Sequence, residues 1–258
     1  MNKADIAVAV EGLEKKFGDF TAVNRIDFNV PRGEIFGFLG PNGAGKSTTI
    51  RMLCGLLKPT SGLGRVAGYD IYTQQGSIRA NIGYMSQKFS LYEDLTVEEN
   101  INFYAGLYGI SGKKLLDRKA WILKMAGLQV QRSSLTQVLA VGWKQRLALG
   151  CAIIHQPPII FLDEPTSGVD PIARAAFWKL IREMAAAGVT VFVTTHYMDE
   201  AQNCNRLGLI YKGELIALGP PDALSSCVKM EKMPASLEDV FIALIEAHDR
   251  GEASCAIS

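Results

Sequence analysis

The chain has 258 residues, 48% of them hydrophobic and 21% charged, with 27 basic side chains against 26 acidic ones. That is enough chain for a full core and one inserted subdomain. The net charge of +1 supplies no broad basic field, so nucleic acid is not expected as a partner.

Five scattered cysteines, Cys54, Cys151, Cys204, Cys227 and Cys255, without CxxC spacing, argue against a disulfide framework or a zinc site and fit a reducing cytoplasm. No apolar run approaches the ~18 residues of a bilayer span, and "MNKADIAVAVEG" lacks the layout of a signal peptide.

In chain order, "IAVAVEGLEKKFGDFTAVNRIDFNV" alternates apolar and polar residues around a Lys-Lys-Phe-Gly-Asp turn, which predicts antiparallel strands. "EIFGFLG" is a short apolar strand, followed by a glycine-rich loop and a helix expected from Lys46 to Leu57. From Phe89 to Gly150 the pattern becomes helical, with "TVEENINFYAGLYG" and "KKLLDRKAWILKMAGL", and predicts a helical insertion. Two apolar strands then follow, "PIIFLDEP" and "VTVFVTTH", separated by the helix "ARAAFWKLIREMAAAG", which implies a largely parallel sheet. "RLGLIYKGELIALG" reads as a hairpin turning at Lys212-Gly213. A closing amphipathic helix starts at Ser236, with Asp239 placed for a capping box. The tail "HDRGEASCAIS" has little to bury and is expected to fray.

The loop "GPNGAGKST" comprises Gly40, Pro41, Asn42, Gly43, Ala44, Gly45, Lys46, Ser47 and Thr48, and fits G-x-x-x-x-G-K-[ST]. Its glycines let successive backbone N–H groups face phosphate oxygens, Lys46 reaches the terminal phosphates, and Ser47 offers a hydroxyl to Mg²⁺. The loop empties into a helix N-terminus, which also favours anions. "IIFLDEP" ends a strand in two carboxylates: Asp163 is placed to hold Mg²⁺, and Glu164 to orient or deprotonate an attacking water. His196, at the end of "VTVFVTTH", can bond a γ-phosphate. His155 and His248 read as structural or solvated.

Taken together, "GPNGAGKST", "IGYMSQ", "LAVGWKQR", "IIFLDEP", "TSGVD" and "VTTH", in that order, resemble the ATP-binding subunits of ABC transporters over residues 5 to 245. The resemblance implies an α/β fold: a P-loop NTPase core with a mostly parallel sheet, an N-terminal antiparallel β subdomain and an inserted α-helical subdomain. The core is expected over 1–88 and 155–225, the helical subdomain over 89–154, and a C-terminal helix with its tail over 226–258.

By the same resemblance, Phe17 stacks on adenine, and Gln87 links nucleotide state to the helical subdomain and joins Ser47 and Asp163 about the metal. Ser167, Gly168, Val169 and Asp170 cross a dimer interface. Lys46, Glu164 and His196 form the catalytic set. In the family two such subunits pack head to tail, and each ATP lies between one P-loop and the facing signature segment. The usual Leu-Ser-Gly-Gly-Gln is replaced here by Leu139, Ala140, Val141, Gly142 and Trp143. One serine hydroxyl is lost, a loss of roughly 1.5 to 3 kcal/mol, while the helix N-terminus behind it remains.

The resemblance implies an ATPase using ATP and Mg²⁺, peripheral on the cytoplasmic face of a membrane and powering separate transmembrane permease subunits. It is most similar to type-2, drug-efflux-like exporters, working as a homodimer or heterodimer with a second ATP-binding subunit. The stretch Gln87 to Leu95, with Phe89, Leu91 and Tyr92, is the expected docking groove for a permease helix. The alternatives are a soluble ABC ATPase acting on ribosomes or nucleic acid, and a regulatory ATP-binding module with little turnover.

Overall fold

This computed structural model describes residues 5–225, 236–251 and 255–256. Cys227 and the other residues of 226–235 therefore lie outside the described part.

Strands β1 (Ile6–Phe17) and β2 (Phe20–Pro31) form the predicted hairpin, closing with Phe17 opposite Phe20. Two strands that the sequence reading passed over, β4 (Ser61–Val66) and β5 (Tyr69–Asp70), complete an antiparallel sheet of order β2-β1-β4-β5. Their sequence, "SGLGRVAGYD", has too few alternating apolar residues to signal a strand by itself.

β3 (Ile35–Leu39) leads to α1 (Lys46–Leu53). The helix stops four residues short of the expected Leu57, just before Gly55, which takes a φ of 66°. After α2 (Gln75–Ala80) and β6 (Ile82–Met85) come the helices α3 (Val97–Leu107), α4 (Gly112–Ala126) and α5 (Val141–Ala152). Thr96 caps α3 through a full capping box with Glu99, as its sequence pattern directs. These three helices bury a cluster of their own, including Ile101, Ile122, Leu147 and Cys151.

The chain returns to the main sheet with β7 (Ile159–Asp163), α6 (Pro171–Ala186), β8 (Thr190–Thr195), β9 (Arg206–Tyr211) and β10 (Glu214–Gly219). It closes with α7 (Pro221–Ser225), α8 (Leu237–Asp249) and β11 (Cys255–Ala256). The large sheet has the order β11-β10-β9-β3-β8-β7-β6. Its β9-β3-β8-β7-β6 portion is parallel, and these strands are buried almost throughout, as a parallel sheet covered on both faces requires. Phe36, Phe38, Phe161 and Phe192 meet on one face, with ring centroids 5.3–5.5 Å apart between Phe192 and each of the others.

Of the tail expected to fray, residues 252–254 and 257–258 lie outside the described part, and the described residues depart from that expectation. Instead of fraying from His248, α8 runs to Asp249, and Val240, Phe241 and Leu244 are buried against the main core. His248 Nε2 lies 2.8 Å from Glu214 Oε2, Lys212 Nζ lies 2.8 Å from Asp249 Oδ1, and Cys255–Ala256 pair with β10. The β9–β10 turn held in this way touches the glycine-rich loop, because Gly213 N–H donates to Ala44 O at 3.0 Å. Glu214 also accepts from Asn24 Nδ2 at 2.7 Å.

Two titratable groups, the half-buried His155 and the buried Glu34, oppose each other in pH. His155 stacks on Tyr108 with centroids 3.6 Å apart, and its Nε2 lies 3.0 Å from Ile82 O. Burial, helped by Arg118, depresses it from 6.5 to about 4. Burial raises Glu34 from 4.5 to about 7, against the pull of Arg206. Between those limits the folded chain keeps His155 neutral while the unfolded chain protonates it, so its contribution is lost as pH falls from 6.5 towards 4. Glu34 stays protonated in the folded chain while the unfolded chain ionises it, so its contribution is lost as pH rises from 4.5 towards 7. Melting temperatures from pH 4.5 to 6.5 should therefore rise with pH in Glu34→Gln and fall with pH in His155→Gln. Parallel slopes in the two variants would contradict the assignment.

Candidate functional site

The parallel register brings the ends of β3, β8 and β7 level, with Leu39 beside Thr195 and Thr194 beside Asp163. The glycine-rich loop, the paired carboxylates and His196 therefore leave the sheet at one edge, where α/β folds place their ligands. In the loop, Gly45 takes a φ of 108°, and a Cβ there would lie 2.5 Å from Ala22 O. Only glycine serves at that position.

Lys46 is 4% exposed. Its ammonium donates to Gly40 O at 2.8 Å and Pro41 O at 3.0 Å, and lies 3.1 Å from Glu164 Oε1. Glu164 is itself buried, with a left-handed φ of 47°, a conformation that costs a non-glycine residue ~1 kcal/mol or more. Its other oxygen, Oε2, accepts from Gln87 Nε2 at 3.2 Å and lies 3.2 Å from His196 Nδ1. Asp163 Oδ1 accepts from Ser47 Oγ at 3.0 Å and Thr194 Oγ1 at 2.8 Å. Burial is the main reason its carboxyl is raised above the ordinary range. Thr194 Oγ1 in turn accepts from Glu164 N at 3.0 Å. This hydroxyl joins the Asp163 carboxylate to the Glu164 backbone, and sequence reading overlooked it although it lies inside "VTTH".

A cleft of about 460 Å³ opens over the loop, lined by Asn42, Gly43, Ser47, Thr48, Gln87 and the rings of both Phe17 and Phe20. Phe17 is 49% exposed and Phe20 63%, so neither is a core residue. Ser47 and Asp163 present hydroxyl and carboxylate oxygens side by side, a donor set that fits a hard divalent cation.

The structure does not bring the altered signature to this cleft. Ala140 is the N-cap of α5 with no side-chain bond, and Val141 is 46% exposed, so the helix N-terminus faces outward. Leu139 is buried in the helical cluster and Trp143 packs against it, so two of the five residues serve the interior. Gly142 packs against α6: a Cβ on it would lie 2.7 Å from Ala173 Cβ. Gln145, which sequence reading passed over, donates to Pro165 O at 2.8 Å and ties α5 to the carboxylate loop.

In the segment after that loop, Val169 is buried, Ser167 is half-buried, Gly168 and Asp170 are exposed, and Asp170 caps α6 through Ile172 N and Ala173 N. Around the expected docking stretch, Phe89 and Leu91 pack inward on the core. Tyr92 remains exposed, edge-on to Phe103 at 4.6 Å, and Leu95 is half-buried.

Residues 23–167 match the protein family described as "ABC transporter", and the chain belongs to that family. It is 50% identical over 247 residues to the probable multidrug ABC transporter ATP-binding protein YbhF of Escherichia coli (strain K12), covering 95% of this chain and 43% of YbhF. It spans, therefore, less than half of that relative's length. The daunorubicin/doxorubicin resistance ATP-binding protein DrrA of Streptomyces peucetius is 38% identical over 253 residues, covering 98% of this chain and 74% of DrrA. Among solved structures, the dimeric post-hydrolysis state of the ATP-binding cassette MJ0796 bound to ADP and Pi superposes with a TM-score of 0.76 at 28% identity. That match covers 83% of this chain and 98% of the other.

The two signature positions separate in substitution. Gly142→Ala should lower the stability of the nucleotide-free protein in urea unfolding, because overpacking a fixed methyl costs ~1–3 kcal/mol and outweighs the gain in helix propensity of ~1 kcal/mol at most. Ala140→Ser should raise it by ~0.5–2 kcal/mol through the missing cap. Gly142→Ala unfolding at or above the wild-type midpoint would contradict the packing role.

Proposed function

We propose that this chain binds ATP with its P-loop, hydrolyses it against the signature segment of a second ATP-binding subunit, and so powers a separate membrane permease that exports its substrate. The observation that carries the proposal is the convergence of Lys46, Gln87 and His196 on one buried carboxylate, each within 3.2 Å of Glu164.

In this reading the loop N–H groups and Lys46 hold the β- and γ-phosphates. Glu164 takes a proton from the attacking water onto its carboxylate as the water oxygen bonds to the γ-phosphorus and the bond to the β-phosphate oxygen breaks. His196 hydrogen-bonds the γ-phosphate, and Gln87 orients the carboxylate and the water. Ser47 and Asp163, with Gln87, would hold Mg²⁺, which supplies neutralisation of charge on the phosphates when bound. The outward-facing N-terminus of α5 supports a contact with the neighbour's γ-phosphate, since backbone N–H groups and the helix dipole favour an anion without a serine. Gly168, exposed in the loop before α6, is placed to cross the same interface with Ser167 and Asp170.

Export is supported by the drug-resistance and multidrug descriptions of DrrA and YbhF, and pairing by the dimeric cassette. Nothing in those descriptions favours the ribosome or nucleic acid. Among the described residues no helix is long and apolar enough to cross a membrane, so attachment to the cytoplasmic face is proposed to run through the permease. Tyr92 and Phe103 are the exposed rings best placed for that contact.

Glu164→Gln should retain ATP binding while lowering kcat by ~10² or more, because the shape stays and the base is lost. Hydrolysis at the wild-type rate would remove Glu164 from that role. Phe17→Ala should weaken ATP binding about tenfold, the scale of one base–aromatic stack, whereas Phe20→Ala should change it less than about threefold. The reverse ranking, read by titration with a fluorescent ATP analogue, would move the adenine platform to Phe20.

A further inference from the structure

His196 has a second set of neighbours that the catalytic reading does not use. Its ring lies 4.1 Å from that of Tyr197, and the guanidinium of Arg174, from the first turn of α6, lies 4.4 Å over the Tyr197 ring. Such cation–ring stacking favours arginine, whose flat head covers the face. Arg174 Nη1 also lies 3.5 Å from Asp199 Oδ2, and Nε lies 3.7 Å from Glu200 Oε1. Glu200 is 2% exposed, and its Oε1 accepts from Thr166 Oγ1 at 2.5 Å. Thr166 stands two residues after Glu164. The loop after β7, the start of α6 and the loop after β8 are thus joined by a single group of side chains.

The bonding within this group is incomplete. Arg174 Nε and Glu200 Oε2 are both buried and neither makes a hydrogen bond. A buried carboxylate is expensive unless paired, so the pair is costly as a means of stability alone. Its location is the informative fact: the stacked ring belongs to the residue that follows His196, so the height and tilt of that ring set the backbone carrying the imidazole.

We propose that Arg174 and Glu200 are positioning residues for hydrolysis, holding Tyr197 so that His196 stays against Glu164 and in reach of the γ-phosphate. The proposal rests on the ATPase reading above. Arg174 is not among the residues lining the cleft over the glycine-rich loop; it acts through Tyr197, and Glu200 anchors its guanidinium to the loop that carries the base.

The chain has three histidines, so ring-labelled histidine NMR resolves each of them in the full-length protein. Arg174→Met should move the His196 ring signals and leave those of His155 and His248 in place. It should also lower kcat about ten- to a hundredfold, the scale of an ångström misplacement, with KM for ATP unchanged within about twofold. Arg174→Lys, which keeps the charge but not the flat stack, should fall between. If Arg174→Met is not recovered folded, Tyr197→Leu removes the stacked ring and carries the same expectations. Unmoved His196 signals, an unchanged kcat, or a change confined to KM would each overturn the proposal. Absence of ATP hydrolysis by the wild-type chain would instead overturn the ATPase reading, and the histidine spectrum would still decide whether Arg174 positions His196.

Discussion

The level pairing of β3, β8 and β7 is the constraint on which everything else rests. Parallel strands share a direction, so their C-terminal ends meet at one edge once the register is set, and here Leu39, Thr194 and Asp163 arrive within one residue of each other. A slip of one residue in β7 would turn every side chain of the strand to the other face and take Asp163 away from the Thr194 hydroxyl. Aromatic packing of Phe36, Phe38, Phe161 and Phe192 beneath the strands makes such a slip costly. The carboxylates, the lysine and the histidine are therefore fixed by the sheet, and the loops supply only the last few ångströms.

Much of this was legible in the sequence, for a local reason. A glycine-rich loop between a strand and a helix announces itself within nine residues, and apolar strands ending in Asp163-Glu164 or His196 carry their chemistry at a predictable position. What stayed hidden depends on partners far away in the chain. Thr194 matters because it joins the Asp163 carboxylate to the Glu164 backbone, Gln145 because it reaches Pro165, and Glu200 because it meets Thr166 and Arg174; none of these has a periodicity to betray it. β4 and β5 are strands through pairing with β1, not through their own glycine-rich composition. His248 and Asp249 were read as loose for the same reason, since the partners they meet, Glu214 and Lys212, sit on a hairpin more than thirty residues earlier.

The altered signature is best understood as a division of labour along one short segment. Leu139 and Trp143 belong to the helical core and Gly142 to the α5–α6 contact, which leaves Ala140 and Val141 as the positions turned outward. Losing a hydroxyl at Ala140 removes one polar contact without disturbing that packing. Gly142 serves a different end: it lets two helices approach more closely than any side chain permits, whatever binds outside.

The β9–β10 turn sits between α8 and the glycine-rich loop, gripped by His248 and Asp249 on one side and bonded to Ala44 on the other. The two contacts act in series, as links of a chain under load do. A displacement of the last turn of α8 has a route through Glu214 and Gly213 to the backbone of the loop. The final helix and the glycine-rich loop, some two hundred residues apart in the chain, thus share one connected path of contacts.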